Sequence, residues 1–481
     1  MIQPQSAQSQ SAQSQSAQSY SAQGRPTLSL PQVLAFAGIA VPLAAIGLPF
    51  AVYMPRFYAG DVGLGLETTG AIFMSLRFWD IATDPLMGYL VDRRPSRWGR
   101  IKHWLVLSVP ILMVSAWFIY VPGGGLADGG DITPLYLVGW LVVFYIGFTM
   151  LQTPHQAWVP TLAASYDERS RLFQWREIIS TASLLSLLIL PDLLARFAGY
   201  DRGQQIMVMG LILLVSLPVT IGVALALVPD RTAPVPSHAT ADFSRNALSV
   251  ALRNGALWRI LIIEVAIGIA IASTAATYLF AAEWGFGVVQ GASAILMLFF
   301  LAGFSAIPFW MWVARKTQKH VTVTIISLFA AFAYLSYLPL SGYGGFELLM
   351  IGAILSGLAF GSPFIMVRSM MADLVEVELA RTGANRAGLY YSLMTSAYKT
   401  GASLAVGVPF IMLGVVIGFD PIGENSPEAI RGLMWTFVGV PGVSYLIAAV
   451  AAWGYPVTRA VQSQASADLA ARGGDGADDG S

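Results

Sequence analysis

Residues 68–91 read TTGAIFMSLRFWDIATDPLMGYLV, an apolar run broken by three charges, Arg77, Asp80 and Asp84. At about 1.5 Å of rise per residue, such a run crosses the ~30 Å hydrocarbon core of a bilayer. Spacings of three and four residues put the charges on one helix face, with Thr83 one step around. Each charge costs roughly 2.5–3.5 kcal/mol at the centre of a membrane helix, so that face must turn toward protein or water. Two carboxylates one turn apart also repel, and they need a bound cation, a shared proton or a fixed positive partner. The stretch therefore predicts a membrane helix that lines a polar site inside a bundle.

The rest of the chain supplies that bundle. Of its 481 residues, 56% are hydrophobic and 11% charged, the latter about half the share found in soluble domains. Apolar stretches of spanning length recur over 33–54, 68–91, 104–122, 134–158, 177–199, 206–228, 260–282, 293–313, 321–340, 347–371, 387–415 and 432–455. These predict an all-α membrane protein with twelve transmembrane helices. The longest hydrophilic connection, the Pro- and Ser-containing linker 229–259, divides them into six-helix bundles at 33–228 and 260–455. Residues 1–32 carry a repeated SAQSQ of small polar residues that bury nothing, and 456–481 end in AARGGDGADDGS. Both read as disordered tails. Lys and Arg in short loops set the orientation. With both termini in the cytoplasm, 20 of the 27 basic residues lie inside, four (Arg56, Arg196, Arg202, Arg431) outside, and three, Arg77, Arg368 and Lys399, within apolar spans.

Several chemistries drop out. The 27 basic and 27 acidic residues cancel, so no global field draws in nucleic acid. The chain has no cysteine, which excludes disulfides, thiol nucleophiles and thiolate metal sites. His103, His155, His238 and His320 form no ligand pair, and no P-loop or nucleophile-elbow motif occurs. No catalytic residue or cofactor is expected.

The two halves echo each other. The second span ends PLMGYLVDRRPSRWGR from Pro85 and the eighth ends PFWMWVARKTQKH from Pro308; Pro154 precedes Asp167–Glu168 as Pro363 precedes Asp373. Such matches at corresponding places indicate two repeated bundles around a central cavity, the architecture of the major facilitator superfamily.

The charges within spans admit two readings. Arg77 and Lys399 could neutralise Asp80 and Asp84 and merely lock helices together. Alternatively, the two carboxylates and a nearby hydroxyl form a coupling site for Na⁺ or H⁺, since hard cations prefer oxygen ligands. Arg368 either snorkels to the cytoplasmic interface or binds an anionic substrate group. Glu264 is expected to pair with Arg259 or meet interfacial water, and His155 is either a packed polar residue or a cavity donor.

The segment RFWDIATDPLMGYLVDRRPSRWGRIKHW resembles the helix 2 and loop 2–3 signature of the glycoside–pentoside–hexuronide:cation symporter family. TPHQAWVP followed by DERSR, MADLVEVELARTGANRAGLYYSL, and AYKTGAS around Lys399 extend the resemblance across both halves. It implies a cation site of Asp80, Thr83, Asp84 and Thr149, with Asp80 and Asp84 as the Na⁺ ligands if sodium is the coupling ion. It also implies roles for Lys399 and Arg176, which with Arg77, read from its place in the second span, make up a charge network. Substrate contacts fall on Gln152, His155, Trp158, Trp79 and Arg368, with Tyr391 in the aromatic complement. The helix 1 and helix 4 aspartates of the family's sugar site are missing: helix 1 has no acid, and Gln152 stands at the helix 4 position.

The function implied is cation-coupled symport of a glycoside or related organic solute by alternating access. The alternatives are symport of an amphipathic solute such as a lysophospholipid, a non-transporting sensor that keeps the fold, and a polytopic membrane enzyme, against which the missing nucleophile–base pair and metal cluster argue. The expected partners are a small-molecule substrate, a coupling cation and the lipid bilayer, with the chain a monomer in the bacterial inner membrane.

Overall fold

The computed structural model describes residues 27–93, 101–122, 132–163, 166–229, 245–337, 345–384 and 386–478. Spanning helices follow the expected order: α1 Leu30–Asp61, α2 Leu66–Arg93, α3 Lys102–Tyr120, α4 Pro134–Leu162, α5 Tyr166–Leu193 and α6 Arg202–Leu227. The second half holds α7 Gly255–Phe280, α8 Ala292–Lys316, α9 Lys319–Leu335, α10 Phe346–Thr382, α11 Ala387–Ile411 and α12 Pro427–Ala452. Ten of these twelve segments are long and apolar enough to cross a membrane; α2 carries its charges and α9 is short.

Local chemistry fixes many helix starts. Thr133, Asp201, Asn254 and Ser426 each accept a backbone N–H from the first turn of α4, α6, α7 and α12. The end of the molecule where α1 begins and α12 finishes is the near face, and the opposite end the far face. At the far face α1, α5, α7 and α11 all run on into a π-helical turn, at Phe57–Asp61, Leu194–Ala198, Ala281–Gly285 and Met412–Ile417. The first and fifth helices of one half match the first and fifth of the other, a correspondence separate from the proline echo of the second and fourth spans.

The halves meet through α2 against α11, α1 against α7, and α5 against α8. Far-face polar links tie them together. Buried Arg56 donates to Glu283 at 3.0 Å and sits over the Phe280 ring, while Arg202 reaches Asp61 at 3.1 Å and Glu283 at 3.3 Å. The Tyr53 hydroxyl bonds Ser293 at 2.9 Å, and Asp192 accepts the Gly291 and Ala294 amides. Four residues from Asp80 toward the near face, the Asp84 side chain is 37% exposed although it lies within α2.

Three boundaries differ from expectation. The segment after Pro456 is not a disordered tail from its start: Arg459–Asp478 forms a helix, α13, on α10. Its Ala-rich sequence favours helix, Gln462 and Ser466 donate to Glu376, and Arg459 bonds the Arg315 and Thr317 carbonyls. In the expected linker, Arg245–Leu252 is helical, and α7 begins at Gly255 because Asn254 caps it. Leu28, assigned to the first tail, is buried, its amide bonded to Glu168 and its carbonyl to Arg171. The remaining tail expectation, for residues 1–26, lies outside the described residues, as does the 94–100 part of the family-like segment.

Candidate functional site

Near the middle of α2, Asp80 is 8% exposed and faces α4 and α11. Lys399 of α11 reaches across from the other half, donating to Asp80 at 2.8 Å and also to Asp84. Thr149 of α4, itself buried, donates to Asp80 at 3.4 Å and interacts with Asp84. Asp80, Asp84, Thr149 and Lys399 thus form one cluster drawn from three helices and both halves. Its charge balance rests on one ammonium shared by two carboxylates, an arrangement that offsets the desolvation of all three.

Backbone approach sets the position of Lys399. A Cβ on Gly268 of α7 would collide with the Tyr398 carbonyl, and one on Gly401 of α11 with the Val265 carbonyl. These glycines let α7 and α11 touch backbone to backbone around the lysine turn. Beside the cluster lies a cavity of about 270 Å³ lined by Arg77, Asp80, Tyr145 and Tyr398 among apolar side chains including Phe50, Phe144 and Ile271. Arg77 lies within electrostatic reach of the Tyr145 and Tyr398 hydroxyls.

The other expected residues are placed differently. The Thr83 hydroxyl donates to the Asp80 carbonyl of its own helix, 3.3 Å away. Arg176 is near His155 and its Nε has no hydrogen-bond partner; it forms no ion pair with the cluster. Gln152 is half-buried one turn beyond Thr149 on α4. His155 is not a cavity donor: it is fully buried, within hydrogen-bond distance of the Phe36 carbonyl at 3.0 Å, its ring against Phe36. Trp158 is likewise core, edge-on to Phe36, with the Lys102 ammonium 6.0 Å from its ring. Trp79 is 46% exposed, since one residue along a helix turns it about 100° from Asp80. Arg368 does not simply snorkel away; it stands over Phe364 and within electrostatic range of Glu264 and Tyr398.

Glu264 corrects another expectation. Arg259 is occupied by the Ala451 and Trp453 carbonyls, and Glu264 is 2% exposed with no hydrogen bond to Oε1. Five residues place the two side chains about 140° apart around the helix. Sequence reasoning also missed Tyr145, Tyr398 and the close approach of α7 and α11 at Gly268 and Gly401. A glycine pair within apolar spans was the available signal, but it does not reveal which helices meet.

The chain is similar to known membrane transporters over most of its length. Residues 35–459 match the family model described as MFS/sugar transport protein. The isoprimeverose transporter of Lactiplantibacillus pentosus is 24% identical over 428 residues, covering 87% of this chain and 86% of the relative. The sodium-dependent lysophosphatidylcholine symporter 1-B of Danio rerio is 24% identical over 489 residues, covering 89% and 87%. Among solved structures, the nucleoside transporter NupG superposes with a TM-score of 0.63 at 16% identity, over 89% of this chain and 100% of that one, and shows the shared fold. With twelve helices in two matched halves among the described residues and a family match over nearly their whole length, this chain is a membrane transporter and not an enzyme, and it belongs to the MFS/sugar transport protein family.

Proposed function

We propose that this transporter couples the inward movement of Na⁺ or H⁺ to uptake of a glycoside or related organic solute across the bacterial inner membrane, with both termini in the cytoplasm. The observation that carries this is Lys399, on the second half, straddling Asp80 and Asp84 on the first. A coupling cation would compete with the ammonium for the same oxygens, with Thr149 as a third ligand. Occupancy by the cation then loosens the electrostatic tie between α2 and α11, and the tie reforms when the cation leaves. A link between halves that depends on cation occupancy is what coupling by alternating access requires. The solute would occupy the adjoining cavity, its hydroxyls meeting Tyr145, Tyr398 and Arg77. No external cofactor enters the scheme.

A second reading, transport of an amphipathic solute, is favoured by one observation: the cavity wall is largely apolar, built from Ile46, Phe50, Phe144, Phe148, Ile271 and Val406. Uptake into proteoliposomes of a radiolabelled panel of glycosides, uronates and lysolipids, under Na⁺ or proton gradients, tests both readings. Asp80→Cys and Asp84→Cys should each abolish cation-dependent uptake while the protein still inserts. Undiminished coupled uptake in both variants overturns the cation site, and binding without flux would indicate a sensor.

A further inference from the structure

Glu264 is a buried carboxyl that the cation site does not use. It lies nine residues into α7, about 14 Å along the helix at 1.5 Å per residue, and is 2% exposed with Oε1 unbonded. No ion pair of 4.0 Å or less reaches it among the described residues. Two groups lie within electrostatic range of it, Arg368 of α10 and Tyr398 of α11, and Tyr445 of α12 is within range of Tyr398. Lys399, next along α11, is turned to Asp80 and Asp84, and α1 meets α7 with a charge only at the far end, where Arg56 covers Phe280. Arg368 in turn is exposed, with its guanidinium 5.7 Å from the Phe364 ring centre and no carboxylate within 4.0 Å.

A charged carboxylate in this setting is strongly disfavoured unless a cation closes on it. Two arrangements avoid that cost: a neutral, protonated Glu264 with Arg368 standing off, or a charged Glu264 with Arg368 swung into contact. We propose that Glu264 is a proton-binding site of the second half, separate from the Asp80–Asp84 site, and that its proton decides whether Arg368 is held or is free to face the interior. The proton enters from the near-face solution, binds a Glu264 oxygen and returns to solution when Arg368 pairs. The Gly268 and Gly401 contacts hold the Glu264 turn against the Tyr398–Lys399 turn, which gives a change at one site a packed path to the other. The link to the transport cycle rests on the symport reading above; the proton site itself does not.

Infrared spectroscopy of the purified full chain in nanodiscs, titrated with pH, reads protonated carboxyls directly and needs no substrate. The wild type and an Asp80→Asn/Asp84→Asn variant should both show a titrating carboxylic C=O band, and Glu264→Gln should lack it. Arg368→Gln, which keeps Glu264 in place, should move that band's deprotonation to higher pH by at least one unit, a tenfold change in proton affinity. A band unaltered in Glu264→Gln, or deprotonation unmoved in Arg368→Gln, overturns the proposal. Separately, Na⁺ added to wild-type protein should perturb carboxylate bands that Asp80→Asn/Asp84→Asn removes; if it does not while the Glu264 band behaves as expected, the Na⁺ arm of the symport reading fails and the proton site stands.

Discussion

The Asp192 carboxylate on α5 accepts the Ala294 amide at 2.6 Å, so the eighth helix takes its N-terminal cap from the opposite half of the molecule. Its own N-cap residue, Gly291, has φ +87° and no side chain to offer. The first amides of a helix need an acceptor, and only in the closed far face is this one present. Separating the halves there uncaps α8.

Asp192→Ala should therefore favour opening at the far face. Losing a cap costs about 0.5–2 kcal/mol, and each kcal/mol is roughly a fivefold population shift. Spin labels on two introduced cysteines, one per half at the far face, would read the distance, and the absence of native cysteine leaves no background labelling. An unchanged distance distribution would count against the cap as a latch.

The two ion pairs on Glu283 should differ in strength. Arg56 is 4% exposed and Arg202 36%. A double-mutant cycle on Arg202 and Glu283 should give under about 1 kcal/mol, whereas removing Glu283 leaves Arg56 buried with Asp61 at 3.9 Å as its nearest acid. Glu283→Gln is expected to lower the melting temperature more than Arg202→Gln, and the reverse order would refute this account.

Lys399→Ala leaves two carboxylates one turn apart without their shared cation. The variant should melt lower than wild type in choline chloride and regain more stability than wild type on adding Na⁺, because the ion no longer has to displace an ammonium. Equal Na⁺ responses in the two proteins would argue that Lys399 and the ion do not compete.

Gly401→Ala tests the helix contact. The added methyl meets the Val265 carbonyl and forces α7 from α11, at a typical overpacking cost of about 1–3 kcal/mol. The thermal unfolding midpoint should fall, with a larger loss of Na⁺ response than Gly255→Ala, where the new methyl would meet nothing within 4 Å.

The twelve spans and the Asp80–Asp84 pair were legible because apolar length and spacing within one helix are local properties. Lys399 was legible as a charge inside an apolar span and a possible partner of Asp80 and Asp84, whereas Thr149 became legible only through resemblance, since spacing says nothing of which helices touch. For His155, Trp158 and Trp79 the sequence gives depth but not rotation: the first two turn into the α1–α4 packing, and Trp79 turns outward. Arg56, Arg202 and Glu283 lie near span ends, where charges are commonplace; their significance depends on a partner brought by the opposite half. The α13 helix went unseen because its anchor, Glu376, is on another element.

The π turn that ends α7 has a bearing on how this gene can change. One extra residue in a helix advances everything beyond it by about 100°, so Ala281–Gly285 uncouples the direction of Glu283 from that of Glu264 and Gly268 earlier on the same helix. A single-codon deletion there would tighten the turn to an ordinary α-helix and leave the fold standing, yet swing Glu283 off Arg56. In this chain small in-frame length changes at the far helix ends re-aim the side chains that join the halves there, and the same freedom recurs at the ends of α1, α5 and α11.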